Sequence, residues 1–307
     1  MEAIIREVAR HLPAGGESRR LFHGRGQCFA GFDDLIVDCY PPLLLVILYR
    51  PRPAEWLAEL TDRLLALLPQ ETKGVLLQER FLPKSPSRLL WGELPEVVEA
   101  CEDGLRYRLR PGQAQNVGFF PDMAVGRRLL RRLADGGKVL NLFAYTCSFS
   151  VAALAGGAAQ VVNLDMNRGA LDLGRLNHTL NGCDLRRVSF LPLELFRSFG
   201  RLKRCGPFDL VICDPPASQG QSFSAERHWP KLIRRLPELL AAGGQVLACR
   251  STPAFTNSDL QQMFGELLPT VQLLARHQAG DDFPEVDTDR GTTVLHYALG
   301  GVAESRS

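Results

Sequence analysis

Three short apolar runs, each closing on a polar turn, constrain this chain more than any other feature. They are residues 138–143 leading into Ala144-Tyr145-Thr146, residues 160–164 closed by Asp165, and residues 208–213 followed by Asp214-Pro215-Pro216. A helix-length segment separates the first two runs, the pattern of a βαβ unit on a parallel sheet. An acid closing the second strand, about 20 residues after the first turn, is where such folds bind ribose hydroxyls. The first turn is not Gly-x-Gly-x-x-Gly. It reads Ala144-Tyr145-Thr146-Cys147-Ser148-Phe149, with no glycine to let a pyrophosphate approach the backbone. That argues against a dinucleotide and for a nucleoside cofactor without phosphates.

From about Asp122 onward, helices and strands alternate strictly. Helices are expected over 123–133, 149–154, 168–180, 229–240 and 258–267. Strands are expected over 138–143, 160–164, 188–191, 208–213, 245–249, 270–276 and 293–299. Glycine pairs or Asn-Gly follow several of the helices, as expected where a helix stops. Seven strands, the last two forming a hairpin-like pair, fit an α/β fold with a Rossmann-like class I methyltransferase sheet better than a plain dinucleotide fold. With Asp-Pro-Pro closing the fourth strand, the cofactor expected is S-adenosylmethionine (SAM). The N-terminal part reads as a smaller α+β domain. It has a short helix ending at Pro13-Ala14-Gly15-Gly16, strand-like runs at 34–40, 43–49 and 74–81, and shorter β segments near 88–91, 96–101 and 105–109. Pro53 starts an amphipathic helix with Trp56, Leu57, Leu60, Leu64 and Leu68 on its apolar side. The expected division is 1–110 for this domain, which would recognise substrate, and 111–303 for the SAM domain. The tail at 304–307 is expected to fray.

Apolar residues make up 45% and charged residues 23% of the 307, an ordinary soluble composition. The longest apolar stretches, such as 43–49, are too short to span a bilayer, and the N-terminus has no signal-peptide apolar region. The eight cysteines form no C-x-x-C pair, which fits structural thiols in a reducing cytoplasm and excludes the usual zinc spacing. Charge is unevenly spread. Residues 1–103 hold 12 Lys/Arg against 16 Asp/Glu, whereas 106–138 and 186–235 each carry a net +6. Basic segments gathered around one domain suit an RNA phosphate backbone. Each segment alone equally suits a solvated helix face.

Asp165 is placed to accept both ribose hydroxyls, although an exposed aspartate there could simply cap the next helix. Thr146 and Ser148 are candidate caps of the first helix, whose N-terminal dipole would face the SAM carboxylate. Asp214, Pro215 and Pro216 close the fourth strand at the usual ligand edge, where they could orient an acceptor nitrogen or a base.

Several stretches together resemble the bacterial large-subunit ribosomal RNA methyltransferases, a group with cytosine-C5 and guanine-N7 members. They are Gln115-Asn116-Val117-Gly118-Phe119-Phe120-Pro121-Asp122, the run Asn141 to Thr146, Asn163-Leu164-Asp165-Met166, Leu176-Asn177-His178 with Asn181-Gly182, and Asp214-Pro215-Pro216. The segment from His23 to Asp38 is similar to the opening of the family's middle domain. The resemblance runs from about Leu21 to the C-terminus. It implies a SAM-dependent methyltransferase acting on a base in RNA. It carries Phe119, Asp122, Asn141, Phe143, Tyr145, Thr146, Asp165, Met166 and Asp214 over as cofactor-pocket positions, with Glu194 as the acid near the adenine amine.

The departures are informative. Cytosine-C5 members usually begin with a PUA RNA-binding domain, and here some 20 residues precede the matching segment. Their nucleophilic cysteine, just past the fifth strand, falls on Ser251; Cys249 sits two residues earlier, on the same strand face, so a shifted register would restore a cysteine mechanism. Ala217-Ser218 replaces the aromatic that often follows Asp-Pro-Pro, with Phe223 a substitute from the next loop. Cys147 replaces a turn glycine, which would narrow the pocket. Two rivals remain: a methyltransferase acting on a small molecule or protein, since fold does not fix substrate, and a SAM-binding, RNA-associated factor without catalysis.

Overall fold

The structure, a computed structural model, describes all residues except 13–14, 69–70, 220–222, 251–254 and 301–307. Part of the expected Pro13 break, Ser251 and the 304–307 tail lie outside the described residues. The chain divides into two compact units, Met1–Asp122 with Gly280–Thr288, and Met123–Ala279 with the segment from Asp289. The division expected at residue 110 therefore falls inside the first unit. Residues 111–119 are tied to that unit by Arg110 N–H to Val117 O (2.8 Å), Gln78 Nε2 to Ala114 O (3.2 Å) and the stacking of Phe119 on Tyr107 (4.9 Å). Val286 N–H bonded to Gly26 O (2.9 Å) likewise binds 280–288 to it.

In the first unit, β1 (Arg19–His23), β2 (Leu35–Tyr40), β3 (Leu43–Leu48), β4 (Gly74–Glu79) and β5 (Ser87–Gly92) form one sheet in sequence order. Only β3 and β4 run parallel, because α2 (Ala54–Leu67) carries the chain back between them. Helix α1 (Glu2–Arg10) buries Ile4 and Val8, and α2 buries Leu57, Leu60 and Leu64, in one core with Leu21, Val37, Val46 and Val75. A small hairpin, β6 (Glu99–Glu102) with β7 (Leu105–Arg108), completes the unit. Strand β1 has no apolar signature in the sequence because it opens on two arginines. Arg20 is accommodated because it pairs in register with Asp38 on β2, its Nε 2.6 Å from Oδ1.

The second unit holds the expected seven strands. They are β8 (Lys138–Leu142), β9 (Gln160–Asp165), β10 (Val188–Pro192), β11 (Phe208–Cys213), β14 (Leu240–Arg250), β15 (Val271–Gln278) and β16 (Thr293–Leu299), with the two-residue β12 (Ser218–Gln219) and β13 (Phe223–Ser224) apart from the sheet. The order is β10-β9-β8-β11-β14-β16-β15, parallel except for β16, which runs antiparallel to both neighbours. Helices α3 (Ala124–Leu133), α4 (Ser148–Ala155), α5 (Arg168–Leu180), α7 (Ala225–Arg235) and α8 (Asn257–Leu267) match expected helices. Helix α6 (Phe199–Cys205) was not expected, since Phe199 and Leu202 are its only large apolar residues apart from its terminal Cys205. Helix α7 ends five residues early, because a 3-10 turn at Leu236–Glu238 leads directly into β14. Two apolar layers flank the sheet. One gathers Phe199, Leu202, Trp229, Leu232, Ile233, Phe264 and Tyr297; the other gathers Leu130, Phe149, Leu154, Ile212, Leu247, Cys249 and Val294. Burial of a side chain such as Leu232 contributes about 1.5–3 kcal/mol, which fixes α7 against the strands whose ends carry the site.

Candidate active site

Strand register brings the candidate residues to one level. Leu142 of β8 pairs with Leu164 of β9 and with Cys213 of β11, and Asp165 pairs with Pro192 of β10. The next residues, Phe143, Asp165, Leu193 and Asp214, therefore emerge from neighbouring strands along the C-terminal edge. The sheet's topological switch, between β8 and β11, lies among them.

Asp165 is buried and holds the first turn in place. Its Oδ2 accepts the Tyr145 N–H and its Oδ1 accepts the Asn167 N–H, each at 2.8 Å. A carboxylate offers about four lone-pair positions, enough in number for two peptide N–H groups and two hydroxyls. Asn167, not Asp165, caps α5, through the Ala170 N–H at 3.0 Å. Along the turn Phe143, Tyr145 and Cys147 all have left-handed φ values of 58°, 46° and 63°. Alternating left-handed residues turn successive peptide N–H groups inward, a concavity suited to a partial negative charge. Cys147 thus keeps the backbone shape that a glycine would adopt freely. Its buried thiol packs toward α5, where a Cβ on Gly174 would come within 2.5 Å of Sγ. The Cys147 side chain fills that contact with α5. The N-cap position of α4 falls on neither Thr146 nor Ser148. Cys147 is the N-cap residue of α4 and makes no side-chain cap. Thr146 is buried, and its carbonyl accepts from Asn177 Nδ2 at 3.0 Å.

Asn141 stands at the head of a buried relay invisible in the sequence. Its Nδ2 donates to Asn163 Oδ1 (2.9 Å), Asn163 Nδ2 donates to Ser150 Oγ (3.0 Å), and Ser150 Oγ lies 2.8 Å from His178 Nε2. His178 Nδ1 faces the Gly174 carbonyl at 2.7 Å, so Nδ1 carries the proton and Nε2 accepts from the serine hydroxyl. Burial pushes the His178 pKa down to about 4, Arg175 adding in the same direction and the Gly174 bond opposing. Two asparagines facing each other in otherwise apolar strands, Asn141 and Asn163, were the available signal.

Glu194 lies just past β10. Its Oε1 and Oε2 accept the Phe196 and Arg197 N–H groups at 3.0 and 2.6 Å, which fixes the carboxylate beside the Asp165 strand end. Met166 is 43% exposed at the same edge. Asp214 is half-buried, Pro215 buried and Pro216 exposed, and β12 and β13 continue the Asp-Pro-Pro turn as a hairpin closed by Ala225 N–H to Ala217 O at 3.0 Å. Phe223 does not offer a ring face. It is buried between Phe143 (4.6 Å, edge-on) and His228 (5.3 Å, stacked). Cys249 is buried in the core beside Ile212, Leu247 and Val294. Phe119 and Asp122 belong to the first unit, where Asp122 lies near enough to Arg20 and His23 to favour their charged forms.

An acid holding the first turn, a turn without glycine and an Asp-Pro-Pro motif beside the topological switch define a class I methyltransferase sheet suited to a nucleoside cofactor. Residues 19–298 match the profile of the S-adenosylmethionine-dependent methyltransferases, and the chain belongs to that family. SAM is accordingly its cofactor. The chain is similar to ribosomal RNA large subunit methyltransferase I of Aeromonas salmonicida, 28% identical over 275 residues, covering 83% of this chain and 69% of that one. It is also similar to the Escherichia coli O139:H28 protein of the same name, 26% identical over 287 residues, covering 89% and 72%. Among solved structures it resembles SMU.776, described as a methyltransferase and crystallised with SAH, S-adenosylhomocysteine. The two share 26% identity and a TM-score of 0.80 over 92% of this chain and 76% of that one. Among the described residues no helix is long and apolar enough to cross a membrane, and no cluster of His, Cys, Asp and Glu could hold a metal.

Proposed function

We propose that this chain methylates a base in RNA, ribosomal RNA first among candidates, in the cytoplasm. When bound, SAM supplies a methyl group already activated on a sulfonium, so the protein's task is alignment. Asp165, Glu194, Met166 and the Phe143–Cys147 turn would hold the nucleoside and its amino-acid tail, with Asn141 bracing the turn from below. Asp214 with the two prolines would orient the acceptor.

The observation that carries the RNA reading is a basic surface on the second unit. Arg197, Arg201, Arg204, Arg227 and Arg234 are exposed and make no ion pair among the described residues, and Lys231 lies over the Phe196 ring at 4.0 Å. Arg201 and Arg204 lie on α6, with Arg197 two residues before it, and Arg227, Lys231 and Arg234 repeat at helical intervals along α7. Arg235 lies over the Phe199 ring at 3.5 Å, joining the two helices, and Lys203 pairs with Glu238 in the 3-10 turn after α7 at 3.1 Å. The other basic segment contributes less, because Arg106 and Arg108 both pair with Glu99 and Arg127 is buried. Names of the relatives point the same way.

The test is transfer of tritiated methyl from SAM to ribosomal RNA from cells lacking this protein. Binding should weaken steeply with salt, and R201E/R227E should lower the slope of log K against log salt by about 1.4–1.8, near 0.7–0.9 for each phosphate no longer neutralised. Salt-independent binding, or transfer only to a non-RNA acceptor, would overturn the proposal.

A further inference from the structure

We propose that one end of the first unit's sheet is an RNA-contact surface that stacks an unpaired base on Arg25 and holds the phosphates beside it. This rests on the reading of the chain as an RNA base methyltransferase and adds to it the kind of RNA the first unit takes. Strands β1, β3 and β4 end, and β5 begins, at one level. Leu48 pairs with Leu35 and Glu79, Gln78 with Ser87, and His23 with Ile36. That end carries Arg25, Arg50, Arg52, Arg80, Lys84 and Arg88, half of the 12 Lys/Arg in residues 1–103. Of the 16 acids in the same stretch it holds only Asp33, Asp34 and Glu79. A segment that is acidic as a whole therefore has one basic end.

Two of these cations are built against one ring. The Arg25 and Arg80 Cζ atoms lie 4.4 and 5.7 Å from the Tyr49 ring centroid. Arg80 is tethered through every nitrogen of its guanidinium. Nε donates to Gln78 Oε1 (2.9 Å), Nη1 to the Tyr49 hydroxyl (3.1 Å) and Nη2 to the Gln115 carbonyl (2.8 Å), which fixes the ring. Arg25 is exposed, and among the described residues its only hydrogen bond is a long one, Nη1 to the Asp33 carbonyl at 3.3 Å. Its backbone is clamped instead. A Cβ on Gly24 would come within 1.8 Å of the Phe32 carbonyl oxygen, and one on Gly26 within 1.8 Å of the Pro284 carbonyl oxygen. The tight turn thus presents Arg25 with the tyrosine beneath its guanidinium and solvent beyond it. Arg25, Arg80 and Lys84 have no carboxylate partner among the described residues. Asp34 is occupied by Arg52, whose Nε lies 2.8 Å from Oδ2. Arg50 with Asp33, and Arg88 with Glu79 (3.6 Å), pair through exposed guanidiniums, where an ion pair holds little energy.

The chemistry then selects the partner. A guanidinium seated on an aromatic ring keeps its charge and offers a flat face, a platform on which an unpaired base stacks. Lys84 and the loosely paired Arg88 supply point charges for the phosphates on either side. A base inside a duplex already has both faces covered by its neighbours, so this surface favours single-stranded or bulged RNA over a continuous helix. An acidic polypeptide would use the charge and leave the flat face unused.

The experiment measures binding of the full chain, by fluorescence anisotropy, to a labelled single-stranded RNA and to the same strand in a duplex. Tritiated methyl transfer to ribosomal RNA from cells lacking the protein is followed alongside. R25A is expected to weaken single-strand binding by about tenfold or more, the scale of a lost base stack, and duplex binding by less than about threefold. R25K keeps the charge and loses the plane, so it is expected to weaken single-strand binding by about fivefold or more. K84A is expected to lower the slope of log K against log salt by about 0.7, one phosphate contact on a single strand. SAH affinity should stay within about twofold in all three variants, because the cofactor turn belongs to the second unit. Wild type that transfers methyl to no RNA overturns the methyltransferase reading and this one with it. With wild type active, four results each overturn the Arg25 surface alone: R25A binding the single strand as wild type does, R25K equal to wild type, equal losses on single strand and duplex, or polyglutamate displacing the RNA as well as unlabelled RNA does.

Discussion

The relay beneath the cofactor turn makes the second unit sensitive to acid through one histidine. His178 is fully buried, its Nδ1–H given to Gly174 and its Nε2 accepting from Ser150. Protonation would bury a cation and also place an N–H against the serine hydroxyl. Ser150 Oγ already accepts from Asn163 and can accept once more, but its own hydrogen would then have no acceptor. In the unfolded chain the imidazole titrates near 6.5, while in the fold burial holds it down to about 4. A depressed pKa means the unfolded state binds the proton first. The contribution is therefore complete above about pH 6.5 and is lost as pH falls toward 4. At 1.36 kcal/mol per pKa unit, the loss at pH 5 is about 2 kcal/mol. Glutamine, with one amide donor and one acceptor, can serve both partners and does not titrate. Urea unfolding followed by Trp229 fluorescence in a W56F/W91F background reports the unit that contains His178. Between pH 8 and pH 5 the histidine protein should lose about 2 kcal/mol more than H178Q. Parallel losses in the two proteins would refute the tautomer and the relay built on it.

Other consequences follow from the same site. D165A should weaken SAH binding by about 1.5–3 kcal/mol, the scale of a lost charged acceptor, and isothermal titration with equal affinities would remove Asp165 from the ribose. SAH should raise the melting temperature while NAD should not, because Tyr145, Thr146 and Cys147 stand where a pyrophosphate would need glycine; an equal shift with NAD would reverse that. C249S should keep most methyl transfer, whereas D214A should lose at least tenfold, about 1.4 kcal/mol of barrier, and a C249S protein without activity but a trapped wild-type adduct on 5-fluorocytosine RNA would restore a cysteine mechanism. G174A should destabilise by about 1–3 kcal/mol through overpacking against the Cys147 thiol. C147A should recover most of that loss, and additive effects of the two in chemical unfolding would show that they do not share the space.

Much of the second unit is legible because its signals are local. A parallel strand buried on both faces must be an apolar run, and the turn that follows must be polar, so β8, β9 and β11 announce themselves with their closing residues Asp165 and Asp214. Strand β1 and helix α6 do not, since Arg20 is tolerated only by Asp38 on another strand and α6 has little of its own to bury. The same distinction divides the site. Asp165 and the Asp-Pro-Pro turn are recognisable from position on a strand. The relay from Asn141 to His178 requires Asn163, Ser150 and His178 to converge from a strand and two helices, a fact of tertiary packing alone. His178 lies in a stretch that resembles the family, but only its buried bonds reveal why a histidine belongs there. Residues whose role depends on their own element can be read from sequence; residues whose role depends on another element's arrival cannot.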